Sequence, residues 1–183
     1  MPPIKKSADT EDTEGMDILT RKLHKVEGRN PIDEISLNPI GIFHSPLKTL
    51  KGIPIQFSMS EIRGKIEIFD KYSAGLKDLD GFSHIYCIYF FDLVKLPVPL
   101  QSKPFLDNEK KGVFATRTPF RPNPIGLSIL KLEKIENNLI FVKNIDILDK
   151  TPVLDIKPYL NEFDFIKSTK SGWLAGNVRK KFS

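Results

Sequence analysis

Between residues 112 and 126 the chain places three prolines, Pro119, Pro122 and Pro124, within six residues. Each ring fixes its own φ and pushes the residue before it into extended geometry. Thr118, Arg121 and Asn123 are therefore predicted to sit on a stiff, pre-set loop. Proline also lacks an N–H, so the segment pairs poorly as a central strand. The rest of the chain has to fold around this rigid connection.

The flanking sequence reads as β-structure. Pro39-Ile40-Gly41-Ile42-Phe43-His44 is a short apolar run stopped by Ser45-Pro46. Residues 64–69 alternate polar and apolar, the period of a half-buried strand. Residues 84–94 are rich in β-branched and aromatic side chains and predict a long strand. Two more strands, 127–135 and 139–148, flank Asn137-Asn138, a pair suited to the positive φ of a tight hairpin. A short strand at 153–156 precedes Pro158. Residues 70–79 suit one or two helical turns closed near Gly81, and Pro97, Pro99 and Pro104 predict a loop to about residue 110. Many strands, few helical segments and closely spaced turns predict an all-β antiparallel barrel or sandwich with a few short helices.

The single cysteine, Cys87, lies in the apolar run 85–91 and reads as a buried small hydrophobe. One thiol makes no intramolecular disulfide, which points to a reducing, cytoplasmic setting. That run is the longest apolar stretch and is too short to span a bilayer, and the first residues lack the apolar segment of a signal peptide. Residues 1–35 carry a net −2 and are predicted to be a disordered or loosely attached extension, although Met16, Leu19, Leu23 and Val26 recur at helical spacing. Residues 36–183 carry a net +7. A basic body is compatible with a phosphate-rich partner and equally with a solvated basic surface.

Absences narrow the chemistry. The sequence holds no Gly-x-Gly, no phosphate-binding loop and no Gly-x-Ser-x-Gly elbow. His24, His44 and His84 are scattered, so a metal site is not expected. The braced loop presents Arg117, Arg121 and Asn123 with little entropy left to lose on binding. A guanidinium fork suits carboxylate or phosphate, and an amide offers donor and acceptor. The structural alternative is a barrel-closing loop whose arginines pair with surface acids. His84, at the start of the long strand, is either a titrating group or a hydrogen-bonded structural one. Asp155 and Lys157 share a strand face, placed to pair. Residues 149–152 read as a turn, and Asp146 precedes it where a carboxylate meets either a ribose, an amine or a structural partner.

Taken together, these segments resemble the TsaA-like (TrmO) tRNA-modification family. The matching text is Pro39-Ile40-Gly41 with Ser45-Pro46, Pro54-Ile55-Gln56, Gly64-Lys65-Ile66-Glu67-Ile68 and Leu79-Asp80-Gly81-Phe82-Ser83-His84-Ile85. It continues with Gly112-Val113-Phe114-Ala115-Thr116-Arg117, Arg121-Pro122-Asn123-Pro124-Ile125-Gly126-Leu127-Ser128, Asp146, and Thr151 to Tyr159. The resemblance implies an antiparallel β-barrel domain over 36–165 with a tail at 166–183, the short single-domain form, usually dimeric. It implies S-adenosyl-L-methionine as cofactor and methylation of N6-threonylcarbamoyladenosine beside the anticodon of tRNA. Carried over by position, the cofactor contacts are Pro54, Ile55, Gln56, Asp92, Leu93, Arg117, Leu127, Asp146, Ile147, Leu148 and Asp149. Many relatives carry histidine where this chain has Asp92. Arg121 and Asn123 are expected at the RNA, and Asp146 and His84 are the candidate bases. A non-catalytic cofactor- or RNA-binding module, and a methyltransferase for another amine, are the competing readings.

Overall fold

A computed structural model describes residues 34–51, 53–54, 57–167 and 170–175. The predicted extension at 1–35 lies, but for its last two residues, outside these. Contacts divide the chain into two units, with the boundary after Ser36.

The unit that begins at Leu37 is built around a closed six-stranded antiparallel barrel. The strands are β1 (Gly41–His44), β2 (Arg63–Ile68), β3 (His84–Phe90), β6 (Ile125–Glu136), β7 (Leu139–Lys143) and β8 (Pro152–Pro158), in the order β1-β2-β7-β6-β3-β8 with β8 returning to β1. A separate two-stranded ribbon pairs β4 (Gln101–Ser102) with β5 (Lys111–Gly112). Short 3-10 turns at Phe57–Met59, Asp70–Leu76, Leu79–Gly81, Val113–Ala115 and Gly172–Leu174, and one α-helical turn at Asn161–Asp164, complete the described part of the unit.

Alternation decides what fills the barrel. Along β3, Ile85, Cys87 and Tyr89 point inward while Tyr86 and Ile88 point away. Along β6, Gly126, Ser128, Leu130 and Leu132 face in. Phe43, Ile66, Ile140, Val142 and Val153 close the core from the other strands. A barrel this small is packed by side chains and has no lumen. Each buried isoleucine or phenylalanine contributes about 1.5–3 kcal/mol. Cys87 is fully buried, as its sequence setting predicts.

Several boundaries differ from the sequence expectation. The strand predicted to reach residue 94 ends at Phe90, where the Asp92 amide turns back to the Phe90 carbonyl at 3.0 Å. The strand predicted over 139–148 stops at Lys143, because Asn144 adopts φ 66° and turns the chain across the barrel end. Ile145 and Ile147 remain fully buried there, so the apolar alternation continues without sheet pairing. The Asn137-Asn138 hairpin forms as expected, with Asn137 at φ 55° and the Asn138 amide donating to the Ile68 carbonyl at 2.9 Å. Asp155 and Lys157 pair at 2.8 Å.

Candidate functional site

A cavity of about 640 Å³ opens at the end of the barrel where β3 gives way to Phe91 and β6 begins. One wall is the proline-braced loop, which contributes Thr116 to Arg121. Ordinary hydrogen bonds fix that loop in place. The Phe91 amide donates to the Pro124 carbonyl at 2.8 Å, and Ile125 N–H donates to the Asn123 carbonyl at 2.8 Å. Arg121 Nη1 donates to the carbonyls of Val113 (3.1 Å) and Thr116 (2.9 Å). From the stretch predicted as tail, Trp173 Nε1 donates to the Ala115 carbonyl at 2.7 Å.

Much of the remaining lining is apolar: Leu50, Pro54, Phe57, Leu93, Leu127 and Ile129. Leu127 points out of the barrel and is 59% exposed, so the cavity offers a hydrophobic surface that the fold itself leaves uncovered.

The floor is polar and is reached from inside the barrel. Ser128 Oγ donates to Asp146 Oδ1 at 2.8 Å, and the Tyr89 hydroxyl lies 3.2 Å from Ser128 Oγ. Tyr89 and Ser128 are both buried. Burial raises the Asp146 carboxyl above its ordinary range, although Ser128 and the backbone amides of Asp146 and Phe57 favour its charged form. Burial, and secondarily the Asp146 charge, push Tyr89 and Cys87 up as well, so both stay protonated.

Nine of the residues singled out from sequence meet in this cavity: Pro54, Asp92, Leu93, Arg117, Arg121, Leu127, Asp146, Ile147 and Leu148. Ile55 and Gln56 lie outside the described residues. Three others sit elsewhere. Asn123 is exposed at the loop and is not in the lining. His84 starts β3 two residues before Tyr86, which lines the cavity, but His84 itself is not in the lining. Its Nδ1 is 3.0 Å from Ser83 Oγ and its ring packs edge-on against Tyr159. That is the structural role its sequence position also allowed. Asp149 turns away from Asp146 into a shallower depression with His44 and Arg63. There it takes the Lys48 ammonium at 2.6 Å and the Ser45 amide at 3.0 Å.

Lys48, and then the Ser45 amide, hold the Asp149 carboxyl below its usual range. A carboxyl lowered in the folded state contributes stability above its unfolded pKa of about 3.9, lost as pH falls through the folded value. Asp149→Asn should therefore melt earlier than wild type at neutral pH, and the gap should close on acidification. Thermal melts across a pH series check this.

Sequence reasoning missed Ser128 and Tyr89, and the apolar lining residues Leu50, Phe57 and Phe120. One signal was present: Ser128 is the one polar side chain in the inward stripe of Gly126, Ser128, Leu130 and Leu132.

Fold and cavity define a small antiparallel β-barrel domain with an edge site for a ligand that is part apolar and part charged. The profile of the tRNA-methyltransferase O N-terminal domain family matches residues 42–165. The chain belongs to that family. A Pyrococcus abyssi protein named a probable S-adenosyl-L-methionine-binding protein is 49% identical over 147 residues, covering 80% of this chain and 79% of its own length. The human tRNA (adenine(37)-N6)-methyltransferase is 38% identical over 69% of this chain, which spans 30% of the human protein. The crystal structure of TrmO from Pseudomonas aeruginosa aligns with a TM-score of 0.64 at 33% identity, over 76% of this chain and 62% of that one.

Proposed function

We propose that this chain is an S-adenosylmethionine-dependent tRNA methyltransferase, and that its acceptor is N6-threonylcarbamoyladenosine next to the anticodon. The observation that carries the reading is the cavity in which a braced arginine loop, an apolar wall and a buried carboxylate converge, in a chain related to proteins named for that activity.

The residues fit the cofactor. Leu50, Phe57, Leu93 and Leu127 suit a flat heteroaromatic ring, Asp146 suits a hydroxyl or a cationic centre, and Arg117 suits a carboxylate. When bound, S-adenosylmethionine supplies the activated methyl group. The chain supplies alignment and field. Arg117 and the braced loop orient the ligands, and the apolar wall excludes water. The acceptor nitrogen, conjugated to both purine and carbonyl, is a poor nucleophile, and Asp146 takes the proton it releases. Burial raises the basicity of that carboxylate toward the working range of a general base.

Transfer of labelled methyl to bulk tRNA from cells lacking this activity, followed by mass spectrometry of the nucleosides, tests the assignment. The expected product is the methylated threonylcarbamoyladenosine. The name of the Pyrococcus relative favours a second reading, a binding module; tight cofactor binding without transfer to any RNA would support it. Methyl on another nucleoside would point to a different amine acceptor. Arg117→Ala should weaken cofactor binding by about tenfold with the fold intact, and unchanged calorimetric affinity would remove Arg117 from the site. The reading includes a cytoplasmic homodimer, checked by light scattering. Among the described residues no helix is long and apolar enough to cross a membrane.

A further inference from the structure

Six Lys/Arg against two carboxylates give residues 93–124 a net +4, more than half of the +7 carried by residues 36–183. The same stretch holds three phenylalanines, and all are exposed: Phe105, Phe114 and Phe120. Phe120 belongs to the cavity wall. Phe114 does not line the cavity, yet it is 80% exposed.

An exposed phenylalanine on a loose loop calls for no explanation. Phe114 is on a turn secured from several sides. The buried Val113 donates its amide to the Leu100 carbonyl at 3.0 Å. The Val113 carbonyl takes Thr116 Oγ1 at 2.9 Å and Arg121 Nη1 at 3.1 Å. Trp173 holds the Ala115 carbonyl. The Arg121 guanidinium lies 5.9 Å from the Phe114 ring centroid, which adds a cation beside the ring. The fold thus fixes the backbone beneath an exposed aromatic ring, beside the Arg121 guanidinium and three residues from Arg117.

We infer that Phe114 is a stacking platform for an unpaired RNA base beside the one that enters the cavity, with the surrounding lysines and arginines taking its phosphates. Exposed aromatics interleaved with cations are how single-stranded RNA is held, since every base has a face to stack and every linkage a charge to neutralise. A second copy of this chain is the rival occupant. Charge argues against it, because two copies meeting at this stretch would oppose two strongly positive surfaces.

The inference rests on the proposed tRNA substrate. The test is fluorescence anisotropy of a labelled anticodon-arm hairpin against the full chain, with a fully paired RNA duplex as control. Phe114→Ala should bind the hairpin about tenfold more weakly, and Phe114→Tyr, which keeps the stacking face, should stay within about twofold. Duplex binding and calorimetric cofactor affinity should not change in either variant. Undiminished hairpin binding by Phe114→Ala overturns the platform, as does an equal loss on the duplex. Loss of self-association in sedimentation, with RNA affinity intact, assigns the ring to a second copy instead. Failure of the wild-type chain to bind any RNA overturns the tRNA substrate itself.

Discussion

Asp146→Asn should slow methyl transfer by about 10²-fold or more while changing cofactor affinity far less. Asparagine keeps the shape of the side chain and can still accept from Ser128 Oγ, which donates at 2.8 Å, but it takes up no proton. The base must be ionised to act, so the wild-type single-turnover rate should rise with pH through the Asp146 pKa. Burial sets that limb above the ordinary carboxylate range. Ser128→Ala removes a hydrogen bond that favours the charged form, so the limb should move to still higher pH. Asp146→Asn should have no such limb. Retained rate with lost cofactor affinity would make Asp146 a binding group and leave the proton to another acceptor.

Gly126→Ala should destabilise the fold by about 1–3 kcal/mol in urea denaturation, and weaken cofactor binding with it. Gly126 sits directly opposite Tyr89 in the β3–β6 pairing. A Cβ there would collide with the Tyr89 ring. Tyr89 is buried between β6 and Phe91, whose ring meets it edge-on at 5.2 Å. The ring cannot yield without disturbing the hydroxyl that contacts Ser128 and, through it, Asp146. In a Tyr89→Leu background the glycine substitution should cost much less, with a coupling of about 1 kcal/mol or more in the double-mutant cycle.

The barrel was legible because its strands obey a period of two. Ile85, Cys87 and Tyr89 alternate with exposed or half-exposed neighbours, and β6 repeats the pattern across from them. The same rule misled at 144–148. Ile145 and Ile147 are buried like strand residues, but they stopper the barrel end in irregular backbone after Asn144 turns left-handed. Periodicity reports which side chains face the core and is silent on hydrogen-bond pairing. The β4–β5 ribbon was hidden by Pro97, Pro99 and Pro104. Its paired residues, Gln101 with Gly112 and Ser102 with Lys111, lie just beyond the reach of those rings.

Within the site, the braced loop and Asp146 were readable from chemistry that is unusual in sequence. The apolar wall was not, since Leu50, Phe57 and Phe120 are hydrophobic residues in loops or a single 3-10 turn, without strand or helix periodicity. Arg121 was expected at RNA. Its Nη1 also ties Val113 to Thr116, a local fold-back that residue type does not reveal. Asp149 was separated from Asp146 by Lys48, a partner about a hundred positions earlier in the chain.

Asp146 is carried between two isoleucines that plug the core, and the Ser60 hydroxyl and Ile62 carbonyl fasten the first of them. To swing that carboxylate aside the molecule would have to uncork itself. Amide hydrogens of residues 145 to 147 should then exchange with solvent only as fast as the whole domain opens. The Asp146 carboxylate is thereby held as firmly as the fold itself.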